Sequence, residues 1–305
     1  MPRAVVDAIL VTFNRTQPLV EVCRSALDQS ARLRTLVIVD NNEAPLAAEL
    51  VAELDRSATD TEIRVLHPGS NLGPAGGITA GFRYLRDRVG ALDWVLLLDD
   101  DDPLPAPDIV ERLLDAVGSA GADRVGGIAL LGARFAPPLL LTRPIDPRPG
   151  GLIPVDSLHG WAAPLYRAAA LEEVDCFRPE LFWGLDDVDA GLRLVRADWR
   201  LYVAADVFLS LPALRKAVER PGRPRVRLAD PSPRSYYKLR NTVDIGLRYF
   251  GLRYVLLAMI VRAVGKPIAN LPVRPVIATR ALRQNIRAIA DGFRGRMGHG
   301  MRLPG

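Results

Sequence analysis

Two clusters of carboxylates stand out by type and spacing. Four consecutive aspartates, Asp99, Asp100, Asp101 and Asp102, follow the apolar run Trp94, Val95, Leu96, Leu97 and Leu98. Negative charge concentrated at the end of a buried element needs a counter-charge. Hard divalent cations such as Mg²⁺ or Mn²⁺ take carboxylate oxygens and share their shell with substrate phosphates, so a nucleoside diphosphate held through a metal fits this cluster. A solvated acidic turn leading into Pro103 and Pro105 is the competing reading. The second cluster is Asp186, Asp187 and Asp189, preceded by Trp183 and Gly184 and followed by Arg193. One of these acids suffices to cap a helix and meet its dipole. Three exceed that need, and a carboxylate in a cleft can act as a general base.

Residues 71–77 read Asn71, Leu72, Gly73, Pro74, Ala75, Gly76 and Gly77. Glycine permits close backbone approach to a ligand, which makes Asn71, Gly73 and Gly76 candidate contacts, although a simple loop explains the segment equally. The spacing is not the dinucleotide fingerprint, which should also follow the first strand. His67, His159 and His299 are scattered, against a histidine zinc site. Trp161, two residues after His159, offers an indole face to a sugar ring, or is a buried structural tryptophan. No serine sits in a nucleophile elbow.

The elements that must position these groups are legible as apolar runs. Residues 8–11, 36–39, 63–66 and 94–98 read as strands, with helical spacing between them at 19–27, 46–54 and 78–89. Apolar strands alternating with helices predict βαβ units and a mostly parallel α/β sheet covered on both faces. Ligands then sit at the carboxyl ends of the strands. The residues found there are Thr12, Asn14 and Arg15, then Asp40, Asn41 and Asn42, then the four aspartates. The expected division is a catalytic domain over 1–215, a Pro/Arg-rich linker over 216–234, and a basic, helical region over 235–305.

Of the 305 residues, 49% are hydrophobic and 25% charged, which excludes a disordered chain. Charge is unevenly spread. Residues 211–305 hold 20 bases and four acids, whereas the first 210 residues hold 20 bases and 31 acids. Cys23 and Cys176 read as free thiols of a reducing compartment. No signal peptide is legible, and the longest apolar run of the tail, 254–261, is too short to span a bilayer, so a cytoplasmic protein is expected. Bases in the tail are interleaved with aromatics from Tyr236 onward. This pattern suits an anionic membrane surface or helices packed on the catalytic domain or on another subunit. It does not gather into a nucleic-acid reader motif.

In order and spacing, five segments resemble the family 2 inverting glycosyltransferases of GT-A fold. They are 11–15, 39–42, 71–77, 98–101, and 182–189 with Arg193. Within that family the likeness is to bacterial galactofuranosyltransferases and rhamnosyltransferases of cell-surface polysaccharide synthesis, supported by the Tyr236, Tyr237, Arg240 and Asn241 pattern. The resemblance implies that Thr12, Asn14, Arg15 and Asp40 border the nucleotide. It further implies that Asp99 and Asp101 hold the metal, that Asp100 meets the ribose or donor sugar, and that Asp187 is the base with Asp186 beside it. Trp161, Trp183 and Asp189 are then candidate acceptor contacts. The extra Asp102 allows the metal register to shift by one. The family's third ligand, a histidine after the base, is missing, leaving Asp206 or His159 as substitutes or a weakly held metal. The implied donor is UDP-galactofuranose or dTDP-rhamnose, and the implied acceptor a glycan or a polyprenyl-diphosphate-linked sugar at the inner face of the cell membrane, with a homo-oligomer compatible. A non-catalytic sugar-nucleotide-binding scaffold of envelope assembly is the alternative.

Overall fold

Strands β1 (Val6–Thr12), β2 (Leu33–Asp40), β3 (Glu62–Leu66) and β4 (Trp94–Asp99) pair in parallel in the order β3-β2-β1-β4. In three of the four, the apolar run ends on a polar residue at the carboxyl edge: Thr12, Asp40 and Asp99. The fold is taken from a computed structural model, which describes residues 4–52, 54, 60–121, 123–218 and 231–300. Register brings those three edge residues together, with Thr12 opposite Asp40 and Val11 opposite Asp99.

The sheet continues through β5 (Val125–Ala129), β8 (Leu152–Val155), β10 (Leu165–Arg167) and β11 (Arg200–Ala204) to eight strands in the order β3-β2-β1-β4-β10-β5-β11-β8. Here β10 runs antiparallel between β4 and β5, and β8 antiparallel beside β11. A small antiparallel sheet of β7 (Leu141–Pro144), β6 (Gly132–Ala136) and β9 (Ser157–Leu158) stands beside it.

Helices cover both faces, as an apolar parallel sheet requires. On one side lie α1 (Gln17–Leu27), α2 (Ala47–Ala52) and α4 (Ile109–Ala120). On the other lie α3 (Gly73–Arg88), α5 (Ala168–Glu173) and α6 (Asp186–Arg196). Two short helices, α7 (Ala205–Leu209) and α8 (Pro212–Val218), follow β11. Both cysteines are buried and unbridged.

Of the expected linker, 216–218 belong to α8 and residues 219–230 lie outside the described residues. The chain resumes in α9 (Pro233–Tyr249), started by Ser232, whose hydroxyl accepts from the Ser235 amide at 3.3 Å, with Pro233 in the first turn. Then come α10 (Leu252–Met259), a π-helical turn (Ile260–Gly265), α11 (Lys266–Asn270) and α12 (Pro275–Phe293). Tyr236, Tyr237, Val243 and Val255 form one core with Leu140 and Phe182 of the preceding region. The aromatic face of α9, expected as a candidate membrane surface, is therefore buried against the sheet domain.

Candidate active site

The Asp cluster sits where β4 runs out, and its four carboxylates do different things. Asp100 turns inward, accepting from the Phe13 amide at 3.0 Å with Arg15 Nε 3.5 Å away. It ties the β1 loop to the β4 loop. Asp101 pairs with the Arg15 guanidinium. Carboxylate oxygens of Asp99, Asp101 and Asp102 lie within 4.8 Å of one another, all on exposed residues. Burial of the Asp99 carboxyl, then the charges of Asp101, Asp100 and Asp102, push it up to about 6. Asp102 is raised for the same two reasons, burial first. Three converging hard oxygen donors with mutual repulsion fit a divalent cation of the Mg²⁺ or Mn²⁺ kind. Asp102 is thus the third carboxylate of the group that could hold such a cation. Asp206 instead accepts from the amides of Gly150 and Gly151 at 3.2 and 2.8 Å, away from this cluster.

The end of β2 shapes the neighbouring wall. Asp40 is fully buried, and burial pushes its carboxyl up, but four hydrogen bonds outweigh that and hold it below the usual range. The donors are the amide and side chain of Asn42 at 3.1 and 2.6 Å and the amides of Leu46 and Ala47 at 2.7 and 2.8 Å. Asp40 thus organises the loop into α2, with two hydrogen bonds accepted by each carboxylate oxygen. Asn42 in turn accepts from the Asn14 amide at 2.9 Å, fixing Asn14 at φ 56° beside Arg15. This link between the first two loops had no signal in the sequence beyond its polarity.

The glycine-rich segment is the first turn of α3, not a loop. Asn71 accepts from the Gly73 amide at 2.8 Å, and Asn41 donates to the Gly73 carbonyl at 3.1 Å. Gly73 has φ +70°, and a Cβ there would lie 2.1 Å from the Phe182 carbonyl oxygen. A Cβ on Gly76 would lie 2.8 Å from Leu72 Cβ. The close approach that Gly73 permits is therefore to the Phe182 backbone, and it seats the 182–187 loop against the start of α3.

That loop is bent sharply: Phe182, Gly184 and Leu185 have φ of 60°, 80° and 64°. At the two non-glycine positions, Phe182 and Leu185, such strain, on the order of 1–3 kcal/mol each, persists only when surroundings over-determine it. The surroundings here are α9. The Asn241 side-chain amide donates to the carbonyls of Leu181, Trp183 and Gly184 at 3.0, 3.1 and 2.7 Å. Fully buried Arg240 donates to Leu181 and Gly298 carbonyls at 2.8 and 2.6 Å. Asp186 and Asp187 then open α6, half-buried; burial, and for Asp186 the adjacent Asp187 charge, raise both carboxyls above the ordinary range. Asp187 accepts from the Val188 amide at 2.8 Å through one oxygen, and the Lys238 charge on α9 partly offsets the rise.

Asp189, expected to meet an acceptor, is fully buried. It accepts from Arg178 at 3.1 Å, Arg193 at 2.8 Å and Tyr249 at 2.8 Å, joining α6 to α9. Trp183 is half-buried, with Lys238 Nζ 5.2 Å and Arg234 5.4 Å from its ring. Trp161 is 38% exposed with one face stacked on His159, so its other face is open. It lies just before β10, beside the end of β4, where the Leu97 amide donates to the Pro164 carbonyl at 2.9 Å. Sequence reasoning gave no site role to Lys238 or Arg178 and placed Asn42 only at a strand end, because their partners are remote in the chain.

Residues 7–131 match Glycosyl transferase family 2. The chain is 30% identical to the succinoglycan biosynthesis protein ExoO of Rhizobium meliloti over 38% of its own length and 31% of that protein. It is 29% identical to the galactofuranosyltransferase GlfT1 of Mycolicibacterium smegmatis over 63% of its length and 66% of that protein. The match thus spans about a third of one relative and just under two thirds of the other. The mannosyltransferase PcManGT of Pyrobaculum calidifontis, in complex with GDP-Man and Mn²⁺, shares the fold with a TM-score of 0.50 at 15% identity, over 95% of this chain and 87% of that one. GalNAc-T7 with UDP, GalNAc and Mn²⁺ shares it with a TM-score of 0.60 at 12% identity, over 96% and 56%. Sheet order, edge residues and these matches agree on a GT-A fold, with the likeness to Glycosyl transferase family 2 lying over residues 7–131.

Proposed function

We propose that the protein is an inverting glycosyltransferase that moves a sugar from a nucleoside-diphosphate donor to a hydroxyl of a glycan or lipid-linked acceptor. The observation that carries this reading is the pairing of two unlike acidic sites at one sheet edge. One is a converging trio, Asp99, Asp101 and Asp102; the other is a raised, half-buried carboxyl on a clamped loop, Asp187. Thr12, Asn14 and Arg15 line the donor side, with Asp40 and Asp100 setting their positions. The trio would hold a divalent cation, which supplies charge neutralisation for the diphosphate.

The acceptor oxygen attacks the anomeric carbon as the bond from that carbon to the diphosphate oxygen breaks. The nucleoside diphosphate leaves with the electron pair, and the hydroxyl proton passes to the Asp187 carboxylate. A carboxyl lifted above its usual range is a better base than an exposed one while still ionised near neutrality. Trp161 and Trp183 offer faces for acceptor sugars. The 29% identity to GlfT1 supports UDP-galactofuranose as donor, with dTDP-rhamnose the other candidate from the sequence pattern.

Asp187→Asn is the test, read in an assay of nucleoside diphosphate release with acceptor present. Transfer should fall by about 10² to 10⁴-fold, the usual contribution of a general base, with donor affinity retained. Loss of donor binding in a folded variant would move Asp187 to the nucleotide side. Wild-type binding of nucleotide sugar with no release in the presence of any acceptor would favour a scaffold.

A further inference from the structure

From Leu252 to Asn270, helix α10, the π-helical turn and α11 follow one another without a break and bury only one face. Val255, Ala258 and Ala263 are fully buried on that face. On the other, Leu252, Leu256, Ile260, Val264 and Ile268 recur every fourth residue and are 52, 49, 66, 39 and 52% exposed. Val273 and Val276, at 76 and 63%, extend the stripe to the start of α12. Solvated monomers rarely leave so continuous an apolar surface bare, and one rimmed by polar residues marks an interaction site.

Charge selects the partner. Between Ile245 and Ala290 the sequence holds eight lysines and arginines and no acid. A second copy of the same face would bring like charges together. A partner both apolar and negatively charged matches it, and the interface of an anionic bilayer has that combination, with an amphipathic helix lying in its plane. The segment is about 28 Å long at 1.5 Å per residue. Among the described residues no helix is long and apolar enough to cross a membrane, so the contact is along the surface.

We propose that the face formed by Leu252, Leu256, Ile260, Val264 and Ile268 docks the protein on an anionic lipid surface. This surface is separate from the catalytic groups, and it replaces the aromatic face of α9 as the membrane-facing element.

The test is co-sedimentation of the full chain with vesicles of phosphatidylcholine alone and of phosphatidylcholine mixed with phosphatidylglycerol. Wild type should bind the anionic vesicles about tenfold more strongly than the neutral ones and be released by high salt. Ile260→Glu combined with Val264→Glu should weaken binding by more than about tenfold, because two apolar contacts become like-charged with the lipid. Both positions are exposed, so thermal stability should hold, and Val5→Glu, exposed at 39% elsewhere, should bind like wild type. Equal binding of wild type and the double variant overturns the proposal, as does equal partition onto neutral and anionic vesicles. So does an oligomer that the double variant dissolves without any vesicle binding in the wild type.

Discussion

Asn241→Ala tests whether α9 positions the reacting carboxylate or only stabilises the fold. The substitution removes the side-chain amide that reaches Leu181, Trp183 and Gly184 carbonyls. Leu181 keeps its bond from Arg240 at 2.8 Å, whereas the Trp183 and Gly184 carbonyls lose the Asn241 donor. Arg240 Nε loses its acceptor at 3.0 Å as well. At about 1 kcal/mol for each of four hydrogen bonds, the variant should lose about 4 kcal/mol, a fall in Tm of roughly 8–16 °C. The larger effect should be on turnover. A loop holding three left-handed residues relaxes once released, and about 1 Å of misplacement can cost roughly 10²-fold. At temperatures below the unfolding transition, transfer should therefore drop about 10²-fold with donor KM little changed, and the acidic limb of the kcat/KM profile should move to lower pH as Asp187 gains water. The control is Val243→Ala, on the same helix and fully buried, which should cost about 2 kcal/mol without touching the loop. If both variants lose turnover equally at equal folded fraction, or if the pH profile of Asn241→Ala is unmoved, the positioning argument fails.

Three further outcomes follow from the geometry. Asp102→Ala should weaken Mn²⁺ affinity measured by calorimetry, whereas affinity unaltered by that change would return the trio to a solvated acidic turn. Asp99 has a carboxyl raised from 3.8 to about 6, so the folded state binds the extra proton, and its stabilising contribution is present below pH ~4 and lost as pH rises through ~6. Thermal unfolding without metal should show that decline, and saturating Mn²⁺ should reduce it; identical slopes with and without Mn²⁺ would count against a metal on Asp99. Gly73→Ala combines φ +70° with a Cβ 2.1 Å from a backbone oxygen. It should destabilise by more than about 2 kcal/mol, and a Tm equal to wild type would refute the seating of the 182–187 loop on α3.

Much of the architecture was legible because each apolar run ends on a polar residue, and a parallel sheet aligns such ends. Thr12, Asp40 and Asp99 were identified in this way, and their register bears it out. Roles within each cluster were not legible. Adjacent aspartates are alike in sequence, yet Asp100 points to Phe13 while Asp99, Asp101 and Asp102 converge. Likewise, Asp189 differs from Asp187 only in helical phase, and two residues along α6 turn a carboxylate from the cleft into the core. The glycines of 71–77 correctly announced close approach, but only packing shows that the approaching group is the Phe182 carbonyl.

What the sequence by itself determined was local: which runs become strands, where they stop, and which charges gather at those stops. These depend on neighbours within a few positions, through burial and backbone geometry. The tertiary structure decided the use of the basic tail. Arg240 and Asn241 find partners about 60 residues away and are drawn out of water to hold the 182–187 loop, while the next helices leave an apolar stripe bare. Periodicity reports that a helix has an apolar face; which neighbour covers that face is settled only when distant segments compete to bury it.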